Sequence, residues 1–210
     1  MLINKDFLLV YLSLRPPNYR FGDPGFLKEK AGKKRRALQR GTMKGNESKT
    51  WLKKGTVCGK GDQVIAFRGA IDSLYAESIW ACTIAKDAKR VAFGGLAEIS
   101  KVIGNLMRCE ALCESTEFSG VFGLSGDELR DVSQNPKKHL GQDHFWPDEN
   151  ATPLMAALNR LRTEVRRCER EAVRAYPECE DWQVSIIACL NRLSSAVYIL
   201  MLKLRLEETA

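Results

Sequence analysis

The chain has 210 residues, 44% hydrophobic and 28% charged, with a formal net charge of +7. That length and balance suit one sizeable soluble domain, or one domain with an appendage. Seven cysteines, an odd number scattered from Cys58 to Cys189, exclude a secreted disulfide framework and point to buried thiols in a reducing cytosol.

The positive charge is local. Residues 1–60 carry 15 Lys+Arg against 4 Asp+Glu, whereas residues 61–210 carry 18 against 22. The N-terminal stretch contains Pro16-Pro17, the GDPG turn at Gly22–Gly25 and the basic run Lys33–Arg36. It predicts loops, a short helix around Phe26–Lys30 and a basic connector. The apolar start, Phe7–Leu12, is too short for the core of a signal peptide, and a strand is suggested only near the N-terminus. The expected division is therefore an irregular basic segment, 1–60, and a helical domain, 61–210.

From Ile65 apolar residues recur at three- and four-residue spacing, which predicts long helices over 65–87, 95–114, 152–176 and 182–207. The expected core stripe of the first is Ile71, Leu74, Tyr75, Ser78, Ile79 and Cys82. That of the second is Leu96, Ile99, Ile103, Leu106 and Met107. A shorter helix is predicted at 126–133. Ser125 and Glu128 form a capping box there, and Asn135-Pro136 closes it. The fold class is all-α, a bundle of four to five long helices.

Lys137–Ala151 reads as a long loop carrying Phe145 and Trp146, and such a loop in a helical domain suggests a function. The next helix contains RLRTEVRRCERE, residues 160–171. Arg162, Arg166 and Arg170 share one side at four-residue spacing, with Leu161, Val165 and Cys168 on another. Two readings stand open: a solvated face stitched by Glu164, Glu169 and Glu171, or a place for an anion, since guanidinium forks match phosphate.

The last helix sets Asn191, Ser194, Ser195 and Tyr198 on one face, either as an interhelical hydrogen-bond network or as a polar pocket. Its apolar stretch, Ile186–Leu204, holds Arg192 near its centre. An arginine in mid-bilayer costs roughly 2.5 kcal/mol or more, so a buried bundle helix is expected and no membrane partner. Asp72, among apolar residues, needs Arg68 or an arginine on another helix. Cys109 and Cys113 lie one helical turn apart, but too few further ligands accompany them for a zinc site, and no structural metal is expected.

Five ordered blocks together resemble the corrinoid (cobalamin) adenosyltransferases of the ethanolamine-utilisation type. They are FRGAIDSL (67–74), IGNLMRCEAL (103–112), GLSGDELRDVSQNPKKHLGQDHFWP (123–147), LNRLRTEVRRCERE (158–171) and LNRLSSAVYILM (190–201). The resemblance covers residues 50–205. It implies an enzyme that moves the 5′-deoxyadenosyl group of ATP onto Co(I) of reduced cobalamin and releases triphosphate, with Mg2+ accompanying ATP.

The resemblance also implies residue roles. Lys60, Arg166, Glu169, Arg170 and Asn191 match nucleotide-binding positions. Arg162 matches an arginine that pairs with the aspartate at Asp72 and braces helices round the corrin. Phe145, beside Trp146, matches the aromatic on the lower axial face of cobalt. Arg166 and Phe145 are the residues expected to act in the chemistry, and Arg160 and Arg167 are expected to be solvated. A homo-oligomer, dimer or trimer, is implied, as are a reductase and an adenosylcobalamin-dependent ethanolamine ammonia-lyase as partners. The implied location is the cytoplasm, with a bacterial microcompartment left open.

The chain departs from the family at Gln63-Val64, where relatives carry Pro-Arg, and lacks a clean glycine-rich N-terminal ATP loop. Two rivals therefore stand beside the enzyme: a corrinoid-binding escort protein without turnover, and a basic helical module binding nucleic acid through residues 28–54. No aromatic platform accompanies that basic run.

Overall fold

A computed structural model describes residues 47–52, 56–87 and 92–209, without the Phe93 side chain. The described residues all belong to one compact unit, Asn46–Ala210. The expected N-terminal strand, the short helix near Phe26 and the run Lys33–Arg36 lie outside the described residues.

The described part begins with a small hairpin. β1 (Lys49–Trp51) pairs antiparallel with β2 (Val57–Gly59), Thr50 opposite Cys58. Sequence had suggested no strand here, because three-residue strands are too short to show alternation.

Six helices follow: α1 (Gln63–Asp87), α2 (Ala92–Leu112), α3 (Gly126–Gln134), α4 (Pro136–Leu140), α5 (Pro153–Ala175) and α6 (Asp181–Thr209). The four long ones form a bundle. α1 packs on α5 and α2, and α6 packs on α5 and α2. Neighbours run antiparallel. Phe67 near the start of α1 meets Tyr176 just after α5, at 5.7 Å between rings. Arg68 reaches Glu110 near the end of α2. The amide of Thr116, just past α2, donates to Ser185 early in α6.

The core is built from the expected periodicity. Phe67, Ala70, Ile71, Leu74, Ala81 and Ala85 of α1 are buried, as are Leu96, Ile99, Ile103 and Leu106 of α2. The α1 stripe lies slightly round from expectation. Ile79 faces solvent, while the small Ser78 is fully buried, donating to the Tyr75 carbonyl and accepting from Ser100. Helix α6 is long and apolar enough to cross a bilayer. Here its apolar residues, Ile186 through Leu204, are the centre of the bundle. Burial raises the thiols of Cys168 and Cys189 to about 12, so neither supplies thiolate near neutrality.

The short helices lie on the outside, α3 and α4 against α6. Ser125 caps α3 with both bonds of a capping box: its hydroxyl accepts from the Glu128 amide, and Glu128 accepts from the Ser125 amide. Ser125→Ala is expected to cost about 1 kcal/mol, read as a lower urea midpoint; an unchanged midpoint would mean the cap adds nothing. Asn135-Pro136 ends α3 as expected. The same proline then occupies the first turn of α4, which had been read as loop.

Candidate functional site

The outer face shared by α5 and α6, with the 141–152 segment laid over it, gathers most of the expected site residues. The arginine-rich stretch sorts itself by partner. Arg160 reaches Glu77 of α1 at 2.6 Å, Arg167 grips Glu164, and Arg174 pairs with Glu171 at 2.7 Å. Arg160 and Arg167 are thus ion-paired rather than merely solvated. Glu169 does not neutralise an arginine. It accepts from the Asn191 side-chain amide across the helix pair at 2.9 Å.

That leaves Arg166 and Arg170 exposed, one turn apart, and without an ion pair or hydrogen bond among the described residues. Two unpaired guanidinium groups on adjacent turns repel each other, and a polyanion relieves that repulsion. Their effect already reaches Arg162. Burial, and then the Arg166 charge, pulls the Arg162 pKa below that of a free guanidinium.

Arg162 and Asp72 do not meet within the chain. Arg162 donates to Asn159 Oδ1 at 3.2 Å and lies over the Trp146 ring, 4.6 Å from its centroid. Asp72 is exposed on the outer face of α1, with no ion pair. Nor does Arg68 serve it: Arg68 Nε donates to both carboxylate oxygens of Glu110, at 2.9 and 3.0 Å. A second helix offering a buried carboxylate outcompetes an exposed one a turn away.

The polar face of α6 is largely a hydrogen-bond network. Asn191 also accepts from Arg192, whose guanidinium donates to Asp127 at the start of α3. Ser195 accepts from Ser133 of α3 at 3.0 Å, and Ser194 donates to the Asn191 carbonyl. Tyr198 holds the loop. The Phe145 amide donates to the Tyr198 hydroxyl at 3.2 Å, and the His144 ring nitrogen Nδ1 lies 3.1 Å from it.

Phe145 is half-buried, with the Arg205 guanidinium 4.6 Å from its ring centroid. Trp146 is 65% exposed. Sequence reasoning had not singled out Arg205. Its spacing, seven residues after Tyr198 on the same side of α6, was the available signal.

Lys60 stands apart from this face. It follows β2, is exposed, and makes a 4.0 Å pair with Glu47. It lies at the bundle end where α1 starts, α5 stops and α6 begins. Among the described residues no group of three or more His, Cys, Asp or Glu is placed to hold a metal ion.

The fold is an antiparallel helical bundle with two unpaired arginines on α5 and an aromatic-bearing loop packed on α6. The chain belongs to the cobalamin adenosyltransferase family, whose model matches residues 41–204. It is 33% identical over 155 residues to the corrinoid adenosyltransferase EutT of Escherichia coli K12, covering 73% of this chain and 57% of that one. The EutT of Salmonella typhimurium is 32% identical over 162 residues, 76% of this chain and 60% of that one. The chain thus spans somewhat under two thirds of the length of these curated relatives.

Its fold is similar to that of a PduO-type ATP:corrinoid adenosyltransferase variant from Lactobacillus reuteri, solved with cobalamin and ATP. The TM-score is 0.62 at 21% identity, over 80% of this chain and 94% of that one.

Proposed function

We propose that this chain transfers the 5′-deoxyadenosyl group of ATP to the cobalt of reduced cobalamin, releasing triphosphate. The observation that carries the reading is the pair Arg166 and Arg170, left without partners while every other α5 arginine has one, in a chain of this family. In the reaction Co(I) supplies an electron pair to C5′, the Co–C bond forms, and the C5′–O bond breaks. The electron pair and growing charge go to the departing triphosphate, and Arg166 and Arg170 stabilise that charge. Mg2+ travels with the nucleotide.

Asn191, held between Glu169 and Arg192, offers a rigid amide edge beside the phosphates, and Lys60 adds charge at the bundle end. Phe145, braced by Arg205, presents an apolar ring that keeps water or a base off the lower face of cobalt. Four-coordinate Co(II) left in this way is easier to reduce. Trp146 and Arg162 extend the corrinoid surface. Asp72, without a partner in its own chain, suits a contact with Arg162 of a second copy, in keeping with a homo-oligomer. The likeness to the EutT proteins supports a role in ethanolamine utilisation, for which we propose a cytoplasmic setting and a reductase that supplies Co(I).

The test is to mix the protein with cob(I)alamin and Mg-ATP without oxygen and follow the spectrum of adenosylcobalamin. Product is expected. No product, with a shifted spectrum of bound Co(II), would leave a corrinoid binder without turnover; neither signal would end the reading.

A further inference from the structure

The loop bearing Phe145 has little to hold it in place by itself. Residues 141–152 form no helix or strand, and among the described residues no backbone–backbone hydrogen bond involves Phe145. The Phe145 backbone is held by one side chain of α6, Tyr198, while elsewhere Gln142 donates to the Leu202 carbonyl at 2.8 Å and the Arg205 guanidinium lies over the Phe145 ring. Tyr198 is 7% exposed, on a helix whose neighbouring residues Ala196, Val197, Ile199 and Leu200 are all buried and apolar. A phenylalanine would satisfy the packing there. A hydroxyl in such a place costs stability unless it finds partners, and its partners are all in this loop.

The geometry closes into a chain of bonds. The Phe145 amide donates to the Tyr198 hydroxyl at 3.2 Å, and that hydroxyl lies 3.1 Å from His144 Nδ1 and 3.5 Å from the Phe145 carbonyl, to either of which it can donate. His144 Nε2–H then donates to the Gln134 carbonyl, at the end of α3, at 3.2 Å. One tautomer of His144 satisfies every link. The same Tyr198 ring stacks on His144, centroids 5.9 Å apart at 16°, and meets Trp146 at 5.8 Å. Three consecutive residues therefore touch one tyrosine, and for the Phe145 amide its hydroxyl is the acceptor.

We infer that the Tyr198 hydroxyl is a positioning group that sets where the Phe145 ring stands against the corrinoid. The inference rests on the proposed function. It adds that Tyr198 acts through Phe145 and on the corrinoid half of the reaction alone. Tyr198 is close to neither free arginine in its bonding, so the nucleotide half is independent of it.

The experiment compares wild type, Tyr198→Phe and Phe145→Ala. Hydrogen exchange of the free protein reads the Phe145 amide. The electron paramagnetic resonance of bound Co(II) with Mg-ATP reads the four-coordinate fraction. Steady-state rates read kcat and both KM values. Tyr198→Phe is expected to keep helix content and the KM for ATP within about twofold. It should speed exchange of the Phe145 amide about tenfold, lower the four-coordinate fraction, and lower kcat/KM for the corrinoid by about tenfold. Tyr198→Phe that matches wild type in exchange and in Co(II) signal, while Phe145→Ala loses that signal, overturns the inference and leaves the proposed function standing. An equal loss toward ATP and corrinoid also overturns it, since that is what general loosening of α6 would give. No four-coordinate signal and no turnover in the wild type overturns both.

Discussion

Replacing Arg166 by alanine is expected to lower kcat/KM for Mg-ATP by roughly a hundred- to a thousandfold. The size follows from where its charge goes at present. Arg160, Arg167 and Arg174 are each committed to a glutamate, and Arg162 to Asn159 and Trp146. Arg166 has no such commitment, so its guanidinium is available for phosphate oxygens in full. Negative charge on the triphosphate grows as the C5′–O bond breaks, so the loss should fall mainly on kcat. Arg166→Lys keeps the charge but not the two-pronged geometry, and should recover only part of the rate. Arg167→Ala, which removes a residue already paired with Glu164, should change the rate by less than threefold. Anaerobic rates at varied ATP decide the matter. Equal effects of Arg166→Ala and Arg167→Ala would show that the α5 arginines serve the surface and not the nucleotide.

The largest effect on stability is expected from Glu110→Leu, a loss of about 3 kcal/mol. Glu110 is 4% exposed, and the only other buried polar residue among the described ones is Ser78. It accepts from Arg68 Nε, and at 3.3 Å from the buried Tyr176 hydroxyl. One carboxylate thereby joins α1, α2 and the turn after α5. Leucine would fill the volume but leave a partly buried guanidinium and a buried hydroxyl without their acceptor.

Glu110→Gln keeps an acceptor and should lose roughly half as much. Urea unfolding measures both, and a Glu110→Leu protein within 1 kcal/mol of wild type would show the network to be dispensable. The tyrosine adds a pH signature. Burial, then the Glu110 charge, raises the Tyr176 pKa above its ordinary value of 10.0. The folded state holds that proton more tightly than the unfolded chain. The associated stability is complete below pH 10 and is lost as the pH rises from there, so Tyr176→Phe should flatten the alkaline limb of the stability curve.

How much of this was legible in the sequence depended on the range over which each feature is determined. The long helices came through because apolar spacing is a local signal repeated over many turns. Predicted 152–176 became Pro153–Ala175, and Ser125 with Glu128 marked the start of α3 to the residue. The face shared by Arg162, Arg166 and Arg170 was equally visible. What was not visible was partnership. Whether Glu169 would turn to Arg166 or to Asn191, and Arg68 to Asp72 or Glu110, depends on which helices become neighbours. Spacing within one helix cannot say that. Ile79 was misplaced for a related reason, while Ser78 was buried as expected: α1 is apolar on much of its circumference, so its hydrophobicity alone does not fix which side turns inward. The five sequence blocks carried the family because they combine local pattern with order along the chain.

The order in which the helices pack also bears on how the protein is made. α1 leans on α5 and α2, but α3 and α4 lean on α6, and the loop bearing Phe145 hangs from Tyr198. Many of the contacts that shape this face are therefore with α6, which follows all the other described helices in the sequence. Until α6 is synthesised, α1, α2 and α5 can pack together, but the apolar faces of α2 and α5 that α6 covers stay bare. That nascent intermediate is a natural client for a chaperone. Synonymous codon changes that slow translation between α5 and α6 would prolong its exposure and lower soluble yield without altering a single residue of the finished protein.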